Sequence, residues 1–429
     1  MKKHCFTYKN RTLYCENTSL LEIAEEVGTP FYVYSRKRLD ENLYRVNQAL
    51  AGTDSLICYA LKANSNPVLL SLLARTGCGA EVVSAGELSL ALASGFPAGR
   101  IVFSGVGKTD REIEKAIDSE ILAINVESFE ELRVIGDIAG AKGKTAPVAI
   151  RVNPDIDAKT HPFISTALRN NKFGIEIARA PEAFRLAASI PALQIRGLHC
   201  HLGSMLMDLS PYREAARSLC KLIHEIRKSG IHLEHVDIGG GLGVAYHDIV
   251  AGIPDGSTDH PDPPSPEDLF SAILPLFRDL NIRLVFEPGR YLIADTGALI
   301  TRVVITKTNG NRKFLIIDAG MNDLIRPSLY EAYHQIVPVA MENRDTERVT
   351  VAGPICESTD FFANDRQLPK MKRGGLLAVM AAGAYGYSLT SNYNGRLRPP
   401  EVLVEGDSYR IIRRREPIEA LWYLADNTN

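Results

Sequence analysis

From position 56 onward, short apolar runs alternate with amphipathic stretches, and the alternation repeats with a regular beat. The apolar runs fall at 56–61, 79–83, 101–104, 123–126, 147–152, 195–201, 235–239 and 283–287. Between them, apolar residues recur at helical spacing over roughly 66–75, 86–94, 110–119, 128–140, 180–188, 212–229 and 267–279. Strand and helix patterns in alternation predict βα units and a parallel sheet, and eight strands in about 230 residues predict a (β/α)8, TIM-like barrel. After Arg290 the pattern changes to β runs without long helices, at 299–306, 313–317, 348–351, 376–380, 401–404 and 409–413, which predicts an all-β sandwich or barrel. Residues 1–35 hold short β-like runs, a small helical segment at 20–26 and Phe31-Tyr-Val-Tyr34, and read as an arm. The expected fold class is therefore α/β plus all-β, with the barrel over 36–285 and a β-domain made of 1–35 and 286–429.

Two connections are longer than a barrel needs: a polar excursion at 155–178, and a Pro/Asp/Gly-rich one at 244–266 that ends on Ser265-Pro266, a helix-start signal. Both follow strands, which places their starts on the C-terminal face of the barrel, where insertions shape sites, although the second reads equally as a solvated surface loop. Asp426 to Asn429 reads as a frayed end.

Composition narrows the setting. The 429 residues are 45% hydrophobic and 23% charged, an ordinary globular balance, and a net charge of -2 gives no reason to expect nucleic acid or an anionic membrane as partner. No apolar run has the length of a membrane span, and the first residues lack the apolar core of a signal peptide, so a cytoplasmic location is expected. The seven cysteines are scattered without a Cys-x-x-Cys pair, which favours reduced thiols over a disulfide frame or a zinc site.

Chemistry in such a barrel is carried at the C-terminal ends of its strands. The first strand ends in Tyr59-Ala-Leu-Lys62-Ala-Asn64 and the sixth in His199-Cys-His201-Leu-Gly-Ser204. The seventh ends in Asp237-Ile-Gly239-Gly-Gly241-Leu-Gly243 and the eighth in Glu287-Pro-Gly289-Arg290. A lysine partly removed from water can form a Schiff base with a carbonyl; taken alone, Lys62 reads more readily as a stray surface charge. A glycine run exposes backbone N–H groups to an anion, and the ends of strands seven and eight are where barrels bind phosphate, with Gly289 and Arg290 adding an N–H and a guanidinium. The competing reading of the run is a flexible turn. Ser104-Gly-Val-Gly107-Lys108-Thr109 fails as a P-loop because Val102 stands where a glycine is required, and reads as a plain βα turn.

His199 and His201 share a strand face, a spacing also used by metal pairs, but further ligands are scarce and no metal is expected. One imidazole stacking on a planar ring, the other structural, is the better account. Glu287 needs a cationic or N–H partner, and a protonated pyridine nitrogen is one. Schiff-base lysine, phosphate loop, stacking imidazole and ring-nitrogen carboxylate together describe a pocket for pyridoxal 5'-phosphate. A carboxylate on the ring nitrogen makes the cofactor a strong electron sink, suited to decarboxylation.

These motifs, with Val83-Ser-Ala-Gly-Glu-Leu88, Cys356-Glu-Ser-Thr-Asp360 and Gly383-Ala-Tyr385-Gly-Tyr387, run in an order that resembles the fold-type III pyridoxal-phosphate-dependent decarboxylases over nearly the whole chain. The resemblance implies an alanine-racemase-like barrel whose β-domain takes up the N-terminal arm, and a homodimer with shared active sites. It implies that Lys62 carries the Schiff base, His201 stacks on the ring, Ser204 and Gly241 help hold the phosphate, and Glu287 faces the pyridine nitrogen. Tyr385 would touch cofactor and substrate, and Arg290 would serve both. Cys356 and Glu357 would come from the partner subunit, with Cys356, or else Lys62, as proton donor to the reacting carbon.

Within the family, the substrate follows from its far end. A second amino-acid head needs a cation for its carboxylate and an acid for its ammonium. Arg326 and Tyr330 supply the first and Glu357 the second, which points to decarboxylation of meso-2,6-diaminopimelate to L-lysine and carbon dioxide. An arginine there would repel substrates with a distal amine alone, although Arg326 also reads as a surface ion pair. The alternatives are a decarboxylase of another basic amino acid such as ornithine or arginine, a non-catalytic pyridoxal-phosphate-binding protein, and a metal-dependent hydrolase. Three features depart from the family pattern: Met205 in place of glutamine, Ala167 in place of glycine, and a long stretch over 247–263.

Overall fold

The apolar runs become eight strands, Ser55–Ala60, Gly79–Val82, Ile101–Phe103, Ala123–Val126, Ala146–Asn153, Leu193–His199, His235–Asp237 and Arg283–Phe286. Each pairs in parallel with the next, and the eighth pairs with the first through Val285 opposite Leu56, so the sheet closes into the expected barrel. Nearly all of these strand residues are buried, because a barrel strand meets side chains inside and helices outside. That is why they read as continuous apolar runs. This computed structural model describes residues 5–157, 171–250, 261–342 and 345–423. Ala167, the middle of the 155–178 excursion and the closing four residues lie outside them.

Local chemistry starts the covering helices. Side chains of Asn66, Ser84, Ser128 and Ser265 accept the N–H groups of Val68, Glu87, Glu131 and Asp268, and Thr109 with Glu112 forms a capping box. Lys108 donates at 2.7 Å to the carbonyls of Gly105 and Asn125 and to Glu131, and so pins the turn after the third strand. This matches its reading as a βα turn.

The chain divides into two compact units: Leu43–Gly243 with Asp262–Tyr291, which holds the barrel, and Met1–Asn42 with Val244–Pro261 and Leu292–Asn429. The described start of the 244–266 connection therefore belongs to the β unit, not to the barrel it leaves. In that unit the long strand Gly297–Asn309 pairs with Phe31–Ser35, Arg312–Ile317 and Leu376–Val379, and Glu401–Glu405 extends the sheet beside Phe31–Ser35. Phe6, Leu13 and Ile23 of the arm pack in one core with Val33, Ile300, Val337, Ala378, Val402 and Val250.

Among the described residues, several elements escaped the sequence pattern. Helix Arg36–Ala49 is polar on most faces and buries a narrow stripe of Leu39, Leu43 and Val46. Ile336–Pro338 is too short to register, and Phe361–Pro369 is an edge strand whose Asp365 and Arg366 hide its pattern. Among the described residues, no helix is long and apolar enough to cross a membrane.

Candidate active site

Lys62 stands in the single turn Leu61–Ala63 that follows the first barrel strand. Its Nζ lies 3.0 and 2.9 Å from the two carboxylate oxygens of Glu81 on the second strand, where Ala60 and Glu81 are register partners. Glu81 is fully buried while the Lys62 side chain keeps 37% exposure, so the amine reaches toward open space from a buried anchor. Burial pushes the Glu81 carboxyl up, and the Lys62 ammonium opposes that shift. Sequence reasoning missed Glu81; its only signal was an acid inside an otherwise apolar strand.

Glu287 directly follows the eighth strand and is buried. Its Oε2 lies 3.4 Å from His199 Nε2, and its Oε1 has no hydrogen-bond partner among the described residues. Asp237, His199 and Glu287 place ligand atoms within 4.8 Å of one another. The composition is that of a cation site, but the charges are not. Burial alone would raise Glu287, yet His199 and the Lys62 ammonium hold it below the usual carboxylate range, whereas burial and the Glu287 charge push Asp237 well up. The group thus offers one anionic carboxylate, which matches a single N–H⁺ of a ring.

The glycine run is built for close approach. A Cβ on Gly240 would lie 2.1 Å from the Glu287 carbonyl oxygen, and one on Gly241 2.2 Å from that of Gly203. Gly239 and Gly241 also hold φ of 67° and 102°, where only glycine sits without strain. Asp237 Oδ1 accepts the Gly239 N–H at 2.8 Å, and Tyr212 donates to the Gly240 carbonyl at 2.8 Å, fixing the cradle. The Gly240 N–H donates to Nδ1 of His201 at 3.2 Å, so that ring carries its proton on Nε2. Burial, then the Lys62 charge, moves His201 well below the ordinary histidine value and keeps it neutral. Arg290 Nε donates to Ser204 Oγ at 3.1 Å, and Gly289 approaches Ala60 and Ala63 where a Cβ would sit at 3.1 and 3.0 Å. The barrel unit therefore brings together Lys62, His201, Ser204, Gly241, Glu287, Gly289 and Arg290 at one end of its strands. Met205, beside this group, adopts φ 63°.

The remaining expected residues belong to the β unit. Arg326 opens the short helix Arg326–Tyr330 and is buried. Its Nη1 donates to Tyr246 Oη at 2.8 Å and lies 3.2 Å from His334 Nε2. It is not a surface ion pair. Tyr330 is half-buried, and Tyr385 holds φ 55°. Cys356 and Glu357 are exposed; the Cys356 N–H donates to Asn394 Oδ1 and the Glu357 carboxylate accepts the Ser358 N–H, both at 2.8 Å.

The barrel-end residues fit pyridoxal phosphate: an amine held by a buried acid, a glycine run packed too tightly for any Cβ, and a buried carboxylate held below the usual carboxylate range. The comparisons agree. The family described as pyridoxal-dependent decarboxylase, pyridoxal binding domain, matches residues 36–294. The diaminopimelate decarboxylase of Aquifex aeolicus (strain VF5) is 46% identical over 409 residues, 95% of this chain and 94% of that protein. A crystal structure of diaminopimelate decarboxylase from Helicobacter pylori complexed with L-lysine matches with a TM-score of 0.89 at 42% identity, covering 94% of this chain and 98% of that one. The enzyme of M. jannaschii in co-complex with L-lysine matches at 0.90 and 38% identity, covering 99% and 98%. The chain belongs to the pyridoxal-dependent decarboxylases, and within them to the branch of the diaminopimelate decarboxylases. Its cofactor is pyridoxal phosphate.

Proposed function

We propose that this chain decarboxylates meso-2,6-diaminopimelate to L-lysine and carbon dioxide, the last step of lysine biosynthesis, in the cytoplasm. The observation that carries the reading is the convergence of Lys62–Glu81, Glu287 and the Gly239–Gly241 cradle on one end of the barrel, in a chain so similar to named diaminopimelate decarboxylases. When bound, the cofactor supplies an electron sink for the carbanion left by loss of the carboxylate.

The residues divide the work. Lys62 anchors the cofactor's aldehyde carbon, and Glu81 holds its Nζ in place beforehand. Neutral His201 packs against the ring face. Ser204, Gly241, Gly289 and Arg290 hold the phosphate with N–H groups, a hydroxyl and a guanidinium. Glu287 keeps a proton on the ring nitrogen, which its lowered pKa suits, since an ionised carboxylate is the acceptor that proton needs. Tyr385 and Arg290 orient the substrate, Arg326 and Tyr330 bind the distal carboxylate, and Glu357 binds the distal ammonium. Cys356, contributed together with Glu357 by the partner of a homodimer, delivers the proton that replaces the lost carboxylate.

The test is carbon dioxide release from meso-diaminopimelate, ornithine and arginine, with the protein supplied with cofactor. Release from diaminopimelate alone is expected, and Lys62→Ala should abolish it. Release from ornithine without diaminopimelate, or full turnover by Lys62→Ala, would sink the reading.

A further inference from the structure

We propose that Tyr246 and His334 are positioning residues that set the direction of the Arg326 guanidinium, and so determine affinity for the distal carboxylate. The inference rests on the function proposed above. It starts from Nη1 of Arg326, whose two N–H bonds meet two acceptors: Tyr246 Oη at 2.8 Å and His334 Nε2 at 3.2 Å. The second requires that Nε2 carry no proton. His334 Nδ1 lies 2.8 Å from the Met380 carbonyl, which can only accept, so Nδ1 holds the ring's single proton and Nε2 offers a lone pair. The tautomer of His334 is thus fixed from behind, and the guanidinium is fixed by the tautomer.

Tyr246 acts twice. Besides its hydroxyl contact, its ring lies under the guanidinium at 4.7 Å to the centroid and meets the His334 ring edge-on at 5.1 Å. Both partners of Nη1 are neutral, so they give the cation a direction without cancelling its charge. A guanidinium held in one plane binds a carboxylate with less ordering cost than one free to rotate.

The loop that carries Tyr246 is itself held. Gln335 N–H donates to the Tyr246 carbonyl at 3.3 Å, Gln335 Oε1 accepts the Val250 N–H at 2.9 Å, and His247 stacks on Tyr333 at 3.8 Å. Val250 is buried in the β-unit core. The described start of the long connection after the seventh strand is therefore a support for Arg326 and not a solvated loop.

The experiment uses the holoenzyme and the variants Tyr246→Phe, His334→Leu and His334→Gln. It measures kcat and KM for meso-diaminopimelate and the dissociation constant of L-lysine, which retains the distal amino-acid head. Tyr246→Phe keeps the ring and removes the hydroxyl, His334→Leu removes the acceptor, and His334→Gln places an amide oxygen near Nε2. Losing a hydrogen bond to a charged group predicts a rise of roughly 10- to 100-fold in both KM and the lysine dissociation constant for the first two, with kcat moved far less. His334→Gln should recover part of the loss. Unchanged lysine affinity in Tyr246→Phe and His334→Leu would overturn the proposal, as would a defect confined to melting temperature or kcat. If His334→Leu does not fold, Tyr246→Phe and His334→Gln decide. Failure of the wild-type protein to release carbon dioxide from diaminopimelate or bind L-lysine would overturn the underlying function; wild-type behaviour in the variants would overturn this inference alone.

Discussion

Glu287 and Asp237 show how burial makes two like groups behave differently. Both are buried, yet Glu287 has His199 at 3.4 Å while Asp237 faces the Glu287 charge, so the first is held below the usual carboxylate range and the second is pushed above it. The motif at the eighth strand made Glu287 legible in the sequence; Asp237 read only as the start of a glycine run, because its role depends on a carboxylate fifty residues away. Asp323, in the β unit, gives the same physics a measurable form. It is 2% exposed, and burial, opposed by the Gly320 N–H, raises its pKa from 3.8 to about 7. A raised carboxyl contributes stability that is fully present below the unfolded pKa and is lost as pH rises through the folded value. Between about pH 5 and pH 7 this amounts to on the order of 3 kcal/mol. Asp323→Asn should therefore lose more stability relative to wild type near pH 5 than near pH 8, read as denaturation midpoints. An equal loss at both would show that Asp323 does not titrate in this window.

At the scale of elements, the strands and helices of the barrel were readable because most residues of the apolar runs are buried and several of the helices start on a side-chain cap of their own. What stayed hidden depended on neighbours. Glu81 lies on a four-residue strand, and nothing in that strand says that Lys62, nineteen positions earlier, meets it. Tyr246 meets Arg326 across eighty positions because its loop joins the β unit. The glycine cradle was readable as an anion loop, but its tightness was not. With the Gly240 Cβ position 2.1 Å from the Glu287 carbonyl oxygen, Gly240→Ala must displace backbone and not a side chain. Such overpacking costs about 1–3 kcal/mol. The expected outcome is a lower melting temperature and loss of bound cofactor on gel filtration, followed by its absorbance. Full cofactor occupancy at an unchanged melting temperature would contradict the cradle described here.

At the scale of the whole molecule, the proposed homodimer makes a testable demand on which chain supplies which residue. Cys356 and Glu357 are exposed, with their backbone held by Asn394 and by the Ile355 carbonyl, as suits groups presented to another surface. If each site takes Lys62 from one chain and Cys356 from its partner, lesions in the two residues can complement. Lys62→Ala and Cys356→Ala homodimers would each be impaired at both sites, the second by roughly 10²–10⁴-fold as for loss of a proton donor. A mixed dimer would carry both lesions in one site and none in the other. Random exchange in an equal mixture makes half the dimers mixed, so carbon dioxide release should recover to about a quarter of the wild-type rate. If both residues of a site came from the same chain, every subunit would keep one lesion and mixing would restore nothing.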